Sequence, residues 1–310
     1  MSGWTAADLP DLHGRTAVVT GANSGLGLVT ARELARAGAE VVVACRNAEK
    51  GRDALTVVSA VATGAAPRLE SLDLADLGSV REFAGQIGAL WSGLDLLVNN
   101  AGLMAPPRRE TVDGFESQFG TNHLGHFALT GRLLEVLCAA EAPRVVSLSS
   151  LAHRLGWIRW NDLQFRRHYN NWLAYGQSKL ANLMFGLELA RRAAAADSPL
   201  RSLIAHPGYS ATNLQFAGPA RVWERAPMAL VNRVYAQSAD WGALPTLYAA
   251  AVDLPSGTFV GPDGIGEGRG HPHVVTGAGR AYDEEAGARL WAASEELTGV
   301  GFDFRAVASA

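Results

Sequence analysis

Short, almost wholly apolar runs alternate along this chain with longer stretches in which apolar positions recur every three or four residues. Runs of the first kind read as buried β-strands and stretches of the second as amphipathic helices. The β-branched run Thr16–Thr20 opens the series, and Leu28–Gly38 follows as a helix with Gly38 as its C-terminal stop. Strands are then predicted at 41–45, 68–72, 94–98, 144–148 and 200–205, and helices at 48–62, 79–90, 113–139 and 172–195. Strands that alternate regularly with helices predict an α/β fold, a doubly wound parallel sheet with helices on both faces. The whole chain, 1–310, reads as a single domain, with no internal repeat and no low-complexity linker. Residues 1–13 read as a polar lead-in and 261–279, rich in glycine and proline, as loop; 284–297 reads as a last helix with Ala286, Leu290 and Leu297 on its apolar side. Two stretches break the rhythm, 151–171 and 209–236, each following the C-terminal end of a strand, where open α/β sheets bind ligands.

Composition narrows the classes. Hydrophobic residues make up 48% and charged residues 18%, which suits a globular protein with a sizeable core. The net charge of −3 without a basic stripe argues against nucleic acid as a partner. Two cysteines, Cys45 at a strand end and Cys138 at a helix end, do not make a disulfide framework and fit a reducing, cytoplasmic setting. The first residues hold no basic and apolar leader pattern, and no run approaches the roughly 18 apolar residues of a membrane span, so no membrane anchor is expected.

Candidate chemistry lies at two places. Thr20–Gly27 joins a strand to a helix through Gly21, Gly25 and Gly27, the setting in which glycines let backbone approach a pyrophosphate at a helix N-terminus. Tyr175 and Lys179 are four apart on the predicted 172–195 helix and therefore share a face. A phenol of pKa about 10 is a poor proton donor and acceptor near neutral pH, and a lysine ammonium one turn away lowers that pKa.

The motifs Thr20–Gly27 (TGxxxGxG), Asn99–Gly102, Ser150 and Tyr175–Lys179 (YxxxK) occur in that order, and together they resemble the short-chain dehydrogenase/reductase family over roughly residues 14–262. Ser149–Gly156 and Ser178–Asn182 are most similar to its retinol-dehydrogenase-like branch. The resemblance implies a Rossmann-type fold and a catalytic set of Asn122, Ser150, Tyr175 and Lys179. The hydroxyl of Ser150 polarises the substrate carbonyl, Tyr175 gives or takes the proton, Lys179 also binds the nicotinamide ribose, and Asn122 kinks its helix and holds a relay water. Asn122 also fits a satisfied buried amide, and Ser149 a backbone-bonding neighbour.

The implied cofactor set begins with Gly21, Asn23, Ser24, Gly25, Leu26 and Gly27, then takes in Arg46 and Asn47 after the second strand and Asp73 and Leu74 after the third. It continues with Asn99, Ala101 and Gly102 after the fourth strand, then Tyr175, Lys179, Pro207, Gly208 and Thr212. Asp73 would bind the adenine amine, or else cap the next helix. At the end of the second strand an NAD site wants an acid for the ribose hydroxyls, and an NADP site a cation. The sequence offers no acid there but Arg46, so NADP(H) is the expected cofactor. His153 and His206 read as packed strand-end histidines, and no cluster has metal-ligand spacing.

The expected activity is hydride transfer between the nicotinamide cofactor and a carbonyl or alcohol. Trp157, Trp160, Phe165, Tyr169 and Trp172 in or beside the first insertion, and Phe216, Trp223, Met228 and Tyr235 in the second, point to a bulky apolar small-molecule substrate, or else to loop packing or a homo-oligomer contact. Arg154, Arg159, Arg166 and Arg167 leave a carboxylate clamp open. The catalytic set leaves open reduction of an activated double bond or dehydration, and the fold a non-catalytic dinucleotide sensor.

Overall fold

The computed structural model describes residues 3–209 and 237–304. Each strand of the predicted series forms, with ends shifted by at most two residues: β1 (Thr16–Thr20), β2 (Glu40–Cys45), β3 (Arg68–Ser71), β4 (Leu96–Asn99), β5 (Arg144–Leu148) and β6 (Arg201–Ala205). Between them run α1 (Gly25–Arg36), α2 (Ala48–Ser59) and α3 (Leu77–Leu90); α7 (Asn171–Ala195) lies between β5 and β6. The sheet order is β3-β2-β1-β4-β5-β6-β7-β8. The chain reverses its winding between β1 and β4, so the C-terminal ends of those two strands border the crevice where such sheets bind ligands.

The sheet is parallel through β7 (Phe259–Pro262), and β8 (Pro272–Val274) closes it antiparallel. This corrects the reading of 261–279 as loop: the glycines and prolines there serve a short hairpin. A helix that patterning did not separate, α8 (Ala239–Ala251), packs against α1 and the sheet. It is apolar on nearly all sides and carries Pro245, so it shows no stripe for a 3.6-residue period to reveal.

The strands between the two edges, β3 and β8, are buried on both faces, and adjacent residues serve different cores. Val41 and Val43 join Ala31, Leu34, Leu203 and Leu247 on the α1, α2 and α8 side. Val42 and Ala44 join Phe83, Phe127, Phe185 and Trp291 on the other. The last helix, α9 (Glu284–Thr298), brings Trp291 onto Phe127 and Phe185, with ring centroids 5.0 and 5.7 Å away.

The predicted helix 113–139 is instead a broken run. It comprises α4 (Ser117–Phe119), a π-helical stretch Gly120–Leu124, α5 (Gly125–Arg132) and, after a break at Leu133, α6 (Leu134–Cys138). Glu116 starts it by accepting hydrogen bonds from the N–H groups of Gln118 and Phe119. The Gly125 N–H reaches Gly120 O, one residue further back than an α-helix allows. Close packing also acts here, since a Cβ on Gly125 would sit 2.4 Å from Leu74 O.

Candidate active site

The glycine-rich turn sits at the C-terminal end of β1. Gly21 and Gly25 have φ of 65° and 55°, a left-handed backbone that favours glycine. A Cβ on Gly21 would lie 2.9 Å from Ala101, and one on Gly27 2.4 Å from Asn100 Nδ2 and 2.5 Å from Gly21 O. The turn is thus pressed against the end of β4 and cannot carry side chains there. Ser24 stands at the N-cap of α1, yet its side chain makes no capping hydrogen bond, which leaves the first amides of α1 free to meet an anion. Asn23, Ser24, Gly25 and Leu26 are all partly accessible along this rim. A cradle that only glycines can line, at a helix N-terminus beside the strand-order reversal, fits a dinucleotide.

Thr20 ties the cradle to its neighbours. Its Oγ1 accepts from the N–H groups of Asn100 and Ala101 at 2.9 and 3.0 Å, and the Asn100 amide donates to Thr20 O at 2.7 Å. His126 lies 2.9 Å from the same hydroxyl through Nε2, and its Nδ1 donates to Asn122 O at 2.9 Å. With the proton on Nδ1, Nε2 must accept from the Thr20 hydroxyl. Asn100 and His126 were not among the expected site residues. They join segments 80 and 106 residues apart in sequence, which no local pattern announces.

Around the rim the expected residues fall as follows. Arg46 is exposed, and its guanidinium lies 3.5 Å from Asp73 Oδ2. Asn47 caps α2 by accepting from the Lys50 N–H. Asp73 accepts from the Ala75 N–H, and the capping of α3 falls to Asp76, which accepts from Gly78 and Ser79. Leu74 is buried against Gly125. The amide of buried Asn99 donates to Thr130 Oγ1 at 3.0 Å. Thr212, the aromatic residues Phe216, Trp223 and Tyr235, and Met228 lie outside the described residues.

Deeper in, α7 starts with Asn170 accepting from the N–H groups of Trp172 and Leu173, and it brings Tyr175 and Lys179 to the end of β5. Both are buried, Tyr175 at 7% and Lys179 at 4% exposure. Burial pushes the Tyr175 pKa up, and the Ser150 side chain facing the phenol pulls it back down. Lys179 Nζ donates to Leu148 O at 3.1 Å and stands 5.9 Å from the Tyr175 ring centre. Burial brings its pKa down to about 8. Ser150 caps the short 3₁₀ turn Leu151–Arg154 by accepting from the Ala152 N–H, while buried Ser149 donates to Lys179 O at 2.8 Å. Asn122 is in the π-helical stretch. Its amide donates to Leu103 O and Ser178 Oγ and accepts from the Leu103 N–H, so every side-chain polar atom is engaged. Gly102 lies between Asn122 and Lys179, where a Cβ would be 3.2 Å from Asn122 Oδ1 and 3.5 Å from Lys179 Nζ.

Pro207 and Gly208 follow β6; Gly208 has φ of 64°, and Pro207 O accepts from Gln237 Nε2 at 2.7 Å. His153 and His206 are fully buried beside Phe259, as packed histidines would be. In the first insertion Trp160, Phe165 and Tyr169 pack the loop down: Arg289 covers Trp160, Arg159 covers Phe165, and the Tyr169 hydroxyl donates to Pro106 O. Trp157 and Trp172 stay exposed, at 67% and 50%, with Trp172 set edge-on to the Tyr175 ring. Arg154 pairs with Glu267, and Arg159 donates to His168 O. Among the described residues no group of His, Cys, Asp and Glu could hold a metal ion, and no helix is long and apolar enough to cross a membrane.

The profile of the family described as short chain dehydrogenase matches residues 15–220. Human retinol dehydrogenase 13 is 40% identical over 295 residues, 93% of this chain and 86% of its own length. Mouse polyprenol dehydrogenase is 41% identical over 300 residues, 94% of this chain and 86% of its own. An uncharacterized protein from Mycobacterium paratuberculosis superposes with a TM-score of 0.82 at 50% identity, covering 97% of this chain and 100% of that one. A short chain dehydrogenase from Escherichia coli CFT073 complexed with NADPH superposes with a TM-score of 0.59 at 26% identity, covering 80% and 97%. A doubly wound sheet with a glycine cradle at its strand-order reversal, matched along nearly its whole length by these relatives, belongs to the short-chain dehydrogenase family, and within it to the retinol-dehydrogenase-like branch.

Proposed function

We propose that this oxidoreductase interconverts a carbonyl and an alcohol on a bulky, largely apolar small molecule, with NADP(H) as cofactor and Tyr175 as general acid and base. The observation that carries the reading is the buried Tyr175, with the Ser150 side chain and the Lys179 ammonium beside it, at the strand ends that also hold the glycine cradle. When bound, the nicotinamide cofactor supplies or accepts the hydride. Gly21, Asn23, Ser24, Gly25, Leu26 and Gly27 would hold its pyrophosphate, Asp73 and Leu74 its adenine, and Asn99, Ala101 and Gly102 the wall beside its ribose. Pro207 and Gly208 would face the nicotinamide, with Thr212 beyond them.

The chain's own residues account for the proton. Burial keeps the Tyr175 phenol protonated near neutral pH, ready to donate to the oxygen of a carbonyl that accepts hydride. Ser150, on the other side of that oxygen, supplies a second hydrogen bond. The Lys179 cation favours the phenolate that is left, and the π-helical stretch fixes Asn122 against α7 behind it. In the oxidative direction the same groups act in reverse.

Arg46 supports NADP(H): it is exposed at the end of β2, with no acid in its place to take a ribose hydroxyl. Two relatives named for apolar alcohols, retinol and polyprenol dehydrogenases, support an apolar substrate, as does the exposed Trp172 beside Tyr175. Arg154 and Arg159 have partners already, which leaves Arg166 and Arg167 as the candidates for a carboxylate clamp. The test is a panel of retinoid-like, terpenoid-like and polycyclic carbonyls against small ketones and keto acids, each with NADPH and with NADH, followed by nicotinamide absorbance. Higher kcat/KM on the apolar set with NADPH is expected; preference for the small polar set, or for NADH, would overturn the corresponding half of the proposal.

A further inference from the structure

A partly buried tie joins two loops of the site through a residue with no part in the chemistry above. Glu267 lies in the 3₁₀ turn Ile265–Glu267 between β7 and β8, where both Gly266 (φ 62°) and Glu267 (φ 56°) are left-handed. A glutamate in that conformation is strained and persists only where its surroundings hold it. What holds this one is its carboxylate. Oε1 accepts from Arg154 Nη2 at 2.6 Å, and Oε2 from His206 Nε2 at 2.9 Å. The His206 tautomer follows from its other neighbour: Nδ1 accepts from the Gly208 N–H at 3.2 Å, so the proton sits on Nε2 and is donated to Glu267.

The two partners lead to different parts of the site. Arg154 and His153 belong to the turn capped by Ser150, and His153 Nδ1 donates to Ser150 O at 2.6 Å. His206 leads into Pro207–Gly208, and the backbone of the Glu267 turn lies directly against that segment. A Cβ on Gly208 would be 2.5 Å from Gly268 O and 2.9 Å from Glu267 O, and the Tyr209 N–H donates to Gly268 O at 2.7 Å.

We infer that Glu267 is a positioning residue, a clasp that sets the spacing between the Ser150 turn and the Pro207–Gly208 turn. The inference rests on the proposed function for what those turns do: one polarises the carbonyl, the other faces the nicotinamide. Its charge serves Arg154 and its acceptor geometry serves His206, so the two arms can be cut separately.

Three variants of the full-length chain test this, each measured for kcat, for NADPH affinity by titration, and for melting temperature. Glu267→Gly removes the side chain and suits the left-handed backbone. Glu267→Gln keeps an acceptor for His206 but removes the charge facing Arg154, and Arg154→Met cuts that arm together with the Arg154 bond to Thr276 O. Glu267→Gly is expected to lower kcat about ten- to a hundredfold, the cost of a misplacement of about 1 Å, and to weaken NADPH binding. Glu267→Gln is expected to restore NADPH affinity and to match Arg154→Met in kcat. Wild-type kcat and affinity in Glu267→Gly would overturn the clasp, as would losses that follow melting temperature alone with no rescue by Glu267→Gln. Absence of wild-type turnover would defeat the functional proposal, and the NADPH titration would then decide the clasp: unchanged affinity in Glu267→Gly overturns it, and weakened affinity restored in Glu267→Gln supports it.

Discussion

At the scale of single residues, the groups that sequence spacing picks out are those whose partners are near in the chain. Tyr175 and Lys179 are four apart, and the structure sets them on one helix face as that spacing predicts; Ser150 is singled out from Ser149 by the motif match. Thr20, His126, Asn100 and Glu267 act across long sequence separations, and no periodicity reports them. The structure also alters the expected electrostatics. Lys179 stands beside the Tyr175 ring and donates to Leu148 O, and burial rather than the cation dominates the Tyr175 pKa in the protein alone. Lys179, brought down to about 8, should lose its proton as pH rises through that value, and with it the charge that favours the phenolate. The kcat/KM for carbonyl reduction, which reports the free enzyme, should fall above about pH 8. In Lys179→Met that limb should vanish along with most of the rate; an unchanged limb would assign it to another group. Arg46, exposed and loosely paired with Asp73, should govern the choice between cofactors. Arg46→Asp should cost about ten- to a hundredfold in NADPH affinity, the value of a charge-assisted hydrogen bond, and favour NADH in parallel titrations.

At the scale of elements, the central strands were legible because they are short, apolar and buried on both faces. The exceptions have physical reasons. The 113–139 pattern is continuous in apolar spacing, but Glu116 capping, the π-turn and the approach of Leu74 O to Gly125 divide it. Nothing in one-dimensional spacing reports such contacts. The same holds for Gly156 and Gly176, where the Ser150 turn meets α7. A Cβ on Gly156 would lie 2.2 Å from Gly176 O, backbone that cannot move aside without shifting α7 next to Tyr175. Gly156→Ala should therefore lower the melting temperature and kcat together, with a stability loss of about 1–3 kcal/mol from overpacking. A thermal melt and a rate measurement at wild-type level would show that this approach has room to spare.

At the scale of the whole molecule, the doubly wound order and the two cores follow from the alternation of strand and helix, whereas the β7–β8 hairpin and α8 had to be seen. Three buried histidines then make stability depend on pH. Burial lowers His123 to about 3 and His126 and His153 to about 4, against an ordinary value of 6.5. The unfolded chain thus binds more protons than the folded one between those values. Stability is fully present above about pH 6.5 and is lost as pH falls towards 4, by on the order of 3 kcal/mol per histidine at full effect. Glu116, whose carboxyl burial pushes up, works in the opposite sense but is a single group. Urea midpoints should fall between pH 6.5 and 5, above the range where ordinary carboxylates titrate; a flat midpoint across that window would show that these histidines are protonated at no cost in the fold.

That Tyr175 carries the proton in an NADP(H)-dependent reduction is tested most directly by Tyr175→Phe, which removes one hydroxyl and leaves the ring in its buried place. NADPH oxidation is followed on an apolar carbonyl that the wild type reduces, with NADPH affinity titrated on the same preparations. The expected result is a fall in kcat of at least about 10²–10⁴-fold, the contribution of general acid–base catalysis, with dinucleotide affinity largely retained. A Phe variant that binds NADPH and keeps most of its turnover would contradict the assignment.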